Sequence, residues 1–86
     1  MPVQYSPHFV EKYKLLPLHL RLKVKKALRL VDVNFRHPGL RSHPVQGMPG
    51  VYEAYVDEKY RMTYQRDGDV LIMRNVDNHD ECLREP

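Results

Sequence analysis

The chain has 86 residues, of which 42% are hydrophobic and 29% charged, with a net charge of +3. A chain this short makes one small domain, residues 1–86, buries roughly 60% of its unfolded surface and leaves no room for a second domain. No apolar run approaches the roughly 20 residues of a membrane span, the start M-P-V-Q-Y-S has no signal pattern, and the lone Cys82 excludes an intrachain disulfide, so a cytoplasmic protein with no membrane partner is expected.

The charge is divided unevenly. Residues 1–46 carry nine Lys/Arg against two acids, and residues 47–86 carry five against nine. A basic first half suits an anionic partner such as nucleic acid or an acidic protein segment, and it equally suits a solvated helix face.

In chain order, Val3–Tyr5 reads as a short strand. Ser6-Pro7 marks a helix start, with Ser as N-cap and Pro at the first helical position. Phe9, Tyr13 and Leu16 follow at helical spacing, and Leu16-Pro17 breaks the run. A second helix is expected over roughly 18–33, with Leu20, Val24, Ala27, Leu28 and Val31 as its apolar stripe. Arg21, Lys25 and Arg29 form a separate row on it, four residues apart. Residues 34–50 read as a loop carrying Arg36, His37, Arg41 and His43, with a possible short strand within 40–46. Its two histidines read as loop residues rather than catalysts. Pro38-Gly39 and Pro49-Gly50 are turn dipeptides.

Three β-type runs follow, 51–56, 60–66 and 70–76, joined by D-E-K and D-G-D hairpin signals. Strand alternation puts Tyr52, Ala54 and Val56 with Tyr60, Met62 and Tyr64 on a core face. The other face carries Glu53, Tyr55 and Arg61, and the third run leads into Asn78-His79-Asp80. Arg74 stands out in the otherwise apolar run V-L-I-M-R-N-V. The tail D-E-C-L-R-E-P reads as a turn or a frayed helix. These parts predict an α+β fold, β-α-α-β-β-β, in which a helical hairpin packs on one face of a mostly antiparallel sheet and the other face lies open. A zinc site built on His79 and Cys82 is not expected, since no tight ligand spacing recurs.

N-x-R-H-P-G-L after the paired helices, Gly47-Met48-Pro49 ahead of Tyr52, Lys59-Tyr60-Arg61-Met62-Thr63-Tyr64, and Asn75 through Asp80 together resemble the RelE/ParE superfamily, the toxins of type II toxin–antitoxin pairs. The resemblance covers nearly the whole chain. It implies a ribosome-dependent, metal-free mRNA endonuclease with no cofactor, acting through the substrate 2′-hydroxyl and silenced by a cognate antitoxin. It implies the ribosome and mRNA as further partners. Arg61 falls on the family's phosphate-binding strand arginine, and His79 falls where members carry a C-terminal Arg or His. The RelE branch has two lysines where Glu53 and Tyr55 stand here. The glutamate base of the YoeB branch lies nearer Ser42, so a catalytic role for Glu53 or Tyr55 rests on their chemistry alone. Arg74 and the row Arg21, Lys25, Arg29 are candidate RNA contacts. The ordinary alternatives are a cross-strand pair of Arg61 with Glu53, an ion pair at the sheet end for Arg74 and a solvated face for the helix row. At the level of function, the alternatives are a ParE-like toxin that binds DNA gyrase or a decayed toxin that only binds its antitoxin.

Overall fold

In a computed structural model describing residues 1–86, β1 (Val3–Tyr5) leads into α1 (Pro7–Leu15) and α2 (Leu18–Val33). A 3-10 turn (Pro38–Leu40) and the two-residue β2 (His43–Pro44) follow. The chain then runs through β3 (Val51–Tyr55), β4 (Tyr60–Asp67), β5 (Val70–Asn78) and α3 (His79–Arg84). The sheet order is β1-β5-β4-β3-β2, antiparallel except where β1 runs parallel to β5. This is the expected α+β arrangement, with strands one or two residues longer or shorter than the sequence suggests.

Local chemistry explains the helix boundaries. The Ser6 side chain accepts from the amide of Phe9 at 3.0 Å and donates to the carbonyl of Arg74 at 3.0 Å. One hydroxyl thus caps α1 and ties it to β5. Leu16 is extended ahead of Pro17, so α1 ends there. Val24, Ala27 and Val31 of α2 meet Ala54, Met62, Tyr64, Leu71, Met73 and Val76 of the sheet in one core, joined by Phe9 and Leu40. Each large apolar side chain buried there contributes about 1.5–3 kcal/mol.

A β-bulge explains Arg74. Thr63 pairs with Asn75, but Tyr64 pairs with Met73, so Arg74 is the extra residue on β5. The bulge resets the alternation, letting Leu71, Met73 and Val76 all reach the core while Arg74 and Asn75 both turn to the other face.

That other face is not open, which corrects the sequence expectation. Asn78 caps α3 by accepting from the Glu81 amide at 3.0 Å, and the helix lies over the sheet. Thr63 donates to the Pro86 carbonyl at 2.7 Å, and Asn75 donates to that of Glu85 at 3.1 Å. Thr63, Asn75 and Cys82 are buried beneath this cover. The tail is an ordered lid because small polar side chains on the strands offer donors to its last carbonyls.

Burial, reinforced by the nearby carboxylates of Glu53 and Asp77, pushes the Cys82 thiol up to about 12. At pH 8 only about one molecule in ten thousand carries the reactive thiolate. Ellman's reagent at pH 8 is therefore expected to label the native chain roughly 1,000-fold more slowly than the chain in 8 M urea. Equal rates would mean that α3 does not seal Cys82.

Candidate functional site

The polar face gathers around one carboxylate. Glu53 sits mid-strand in β3, opposite His43 of β2 and Thr63 of β4. It is only 5% exposed. A carboxylate so buried requires partners, and it has three. His43 Nε2 lies 3.2 Å from Oε2, Arg61 Nε lies 3.3 Å from Oε1, and His79 Nε2 lies 4.0 Å from Oε1.

Each of these three side chains is positioned by its own element. His43 is held in β2, and its Nδ1 lies 3.0 Å from the Arg41 carbonyl. Both ring nitrogens thus face oxygen atoms, which fixes the plane of the imidazole. Arg61 is the second residue of β4, and its Nη1 donates to the carbonyls of Asp57 and Tyr60. Nη2 carries none of these bonds. His79 is the first residue of α3, its amide donating to the Lys59 carbonyl at 2.7 Å and its Nδ1 lying 3.2 Å from Asp80 Oδ1. The side chains of His43 and His79 are 59% and 48% exposed, so both rings face solvent while Glu53 forms the floor.

Tyr55 forms one wall. Its ring lies between two guanidiniums, with Arg41 Cζ 4.5 Å and Arg61 Cζ 4.9 Å from its centroid. Its hydroxyl donates to Glu58 at 3.2 Å. Arg41 itself has φ of 47°, a left-handed conformation unusual for a bulky side chain, at the turn between the 3-10 segment and β2. Together with Leu83, these residues line an open cavity of about 370 Å³. It holds two imidazoles, two guanidiniums and one carboxylate. Such a set can grip an anion and move protons on either side of it.

Of the residues singled out in the sequence, Glu53, Tyr55, Arg61 and His79 come together here. The cross-strand pair of Arg61 with Glu53 is also present, so both readings of that arginine describe the same geometry. Arg74 lies outside the cavity. Its guanidinium donates to Gln65 Oε1 and to the Pro86 carbonyl. The row on α2 lies in the helix layer, beyond the sheet. Lys25 and Arg29 rim an apolar groove lined by Tyr5, Phe9, Tyr13 and Leu28, and Arg21 Nε is buried without a hydrogen-bond partner. Arg41 and His43 join the cluster from a stretch that reads as loop. The signal available for His43 was its β-type neighbour Val45 ahead of Gly47, which is too short to fix a register.

Asp57 supports the cluster from behind. Its Oδ1 accepts from the amides of Lys59 and Tyr60 at 2.9 and 2.8 Å, and Lys23 Nζ lies 3.0 Å from Oδ2. Burial raises this carboxyl, but the Lys23 ammonium and the two amides outweigh it, and the group ends below its ordinary value. A carboxyl lowered by folding stabilises the fold above the ordinary carboxylate range, and that contribution is lost as pH falls through the lowered value. Asp57→Asn is expected to cost about 1 kcal/mol at pH 7 in urea titrations, with the gap to wild type closing below about pH 4. A gap that stays constant with pH would rule out this carboxylate as the cause.

No protein-family model matches the sequence, and no curated protein does. Solved structures do match. The YafQ toxin of E. coli is 21% identical, with 92% of this chain and 93% of that one covered and a TM-score of 0.75. The RelB–RelE antitoxin–toxin complex from Methanococcus jannaschii matches at 22% identity, covering 91% and 92%, with a TM-score of 0.76. A YoeB/ParE toxin from Agrobacterium tumefaciens matches at 15% identity, covering 92% and 99%, with a TM-score of 0.76. The chain has the fold of the RelE/ParE toxins.

Proposed function

We propose that this chain is the toxin of a type II toxin–antitoxin pair and that it cuts mRNA on the ribosome. The observation that carries the reading is the pair of solvent-facing imidazoles and the guanidinium held around buried Glu53. Cleavage by the substrate's own 2′-hydroxyl needs those three groups. A base takes the 2′-hydroxyl proton, the 2′-oxygen bonds to the adjacent phosphorus, the bond from phosphorus to the 5′-oxygen breaks, and an acid returns a proton to that oxygen. His43 and His79 serve as the base and acid. Arg61, immobilised by Glu53 and two carbonyls, offers Nη2 to the charge that develops on the phosphorane. Glu53 orients all three, and Tyr55 is the wall on which a base stacks.

Similarity to toxins solved with their antitoxins, DinJ–YafQ and RelB–RelE, supports a cognate antitoxin as partner. The apolar groove between β1, α1 and α2, rimmed by Lys14, Lys25 and Arg29, suits an amphipathic segment with acidic edges. Exposed Leu15, Leu18 and Leu22 extend the apolar surface beside it. Co-expression with the neighbouring gene's product is expected to yield a stable complex on affinity purification, and recovery of this chain alone would count against it.

The nuclease reading is tested by mapping cleavage of mRNA on purified ribosomes. New ends with 5′-hydroxyl and cyclic or 3′-phosphate groups are expected. Arg61→Ala, His43→Ala and His79→Ala should each slow cleavage by about 10²–10⁴-fold. No new ends with wild-type protein, or undiminished cleavage by Arg61→Ala, would remove the nuclease. Inhibition of DNA gyrase supercoiling in its place would establish the ParE-like alternative.

A further inference from the structure

A second cavity, of about 320 Å³, lies on the other side of Arg41. Phe35, Arg36, Arg41, Tyr52, Tyr64 and Arg66 contribute to its lining, together with His37 and Ser42, and no Asp or Glu does. None of its three arginines is within ion-pair distance of a carboxylate, although Lys12, Lys23, Arg61 and Arg84 each have a carboxylate partner. The guanidiniums are nevertheless held in place. Arg36 and Arg66 lie 5.4 and 5.6 Å from the centroid of the Phe35 ring, and Arg41 is held against Tyr55. The platform beneath is stiff. Phe35 meets Tyr64 edge-on, Tyr64 stacks on Tyr52, and the Phe35 carbonyl accepts from both Ser42 and Tyr64 hydroxyls at 3.3 Å.

Three like charges converging without a counter-ion repel one another, and an anion placed among them relieves that repulsion. Guanidiniums carried on aromatic rings are suited to phosphate, which they meet in two-point contact, and to a nucleobase, which stacks on their planes. Arg41 lines both cavities, so the two adjoin at this residue, just ahead of the edge strand β2. We propose that Arg36, Arg41 and Arg66 form a subsite for a phosphodiester of the substrate RNA strand flanking the linkage at Glu53. The identity of that strand rests on the nuclease reading above; the anion chemistry does not. The subsite sets the path of the RNA over the protein. Its side chains touch the strand but not the reacting atoms.

The test uses a fluorescein-labelled 2′-O-methyl hexaribonucleotide, which has no free 2′-hydroxyl and is not cleaved, so binding is read separately from catalysis. Fluorescence anisotropy is measured at several salt concentrations for wild type, Arg36→Gln/Arg66→Gln, and a control of equal charge change, Lys26→Gln/Arg84→Gln. The arginine pair is expected to weaken binding at least ten-fold and to flatten the slope of log affinity against log salt by about 0.7 for each lost contact. The control should change affinity less than three-fold. Equal loss in both doubles, no loss in either, or no binding by wild type would overturn the subsite. Weakened binding to whole ribosomes with unchanged hexamer binding would also overturn it, by assigning the arginines to ribosomal RNA. Hexamer binding that depends on Arg36 and Arg66 in a protein that fails to cut mRNA would sink the nuclease and leave the subsite standing.

Discussion

The architecture of the polar face depends on a single buried carboxylate. Glu53 is surrounded by three elements that each bring it one side chain: a two-residue edge strand, the start of a long central strand and the first turn of the last helix. A lone carboxylate at that depth would lose its hydration without compensation, and the Arg61 guanidinium would have no counter-ion. Together they satisfy one another. The attraction fixes how far β2 comes down on β3 and where His79 stands when α3 folds over the sheet. The same contacts that make the site electrostatically tolerable also make it geometrically definite.

This arrangement divides labour between layers. The helical hairpin packs on the core face of the sheet and leaves the other face to the polar cluster and α3. The bulge at Arg74 lets β5 supply core residues on one face and donors for the tail on the other. Asp57 closes the β3–β4 hairpin through its side chain, and its carbonyl holds Arg61. A hairpin turn is therefore part of the apparatus that aims the guanidinium. The lid formed by α3 brings a histidine to the cavity while shielding Thr63, Asn75 and Cys82 from water.

Much of this was legible in the sequence where periodicity was strong. The caps at Ser6 and Pro7, the break at Pro17 and the apolar stripe of α2 mark both helices within a residue, because those signals are local. The alternation in 51–66 assigns Glu53 and Arg61 to one face for the same reason. Three features escaped. His43 belongs to a strand of two residues, which is too short for any pattern, and it is recruited by Glu53 rather than by propensity. Arg41 takes up a left-handed backbone that no local rule requires of an arginine. The lid depends on donors from Thr63 and Asn75, residues that only the bulge brings to the same face, so a frayed tail was the natural reading. Each is a long-range constraint overriding a weak local preference.

The order of the cluster along the chain has a consequence for synthesis. Its members run from Arg41 to His79, and the ring of His79 is set only once the helix after it has wound and seated Cys82. A nascent chain of seventy residues has both long helices and β2 to β4, but it lacks β5, on which β1 pairs, and one of the two imidazoles. A chain stalled before residue 79 therefore has the two arginines, His43 and the carboxylate but no second imidazole beside them.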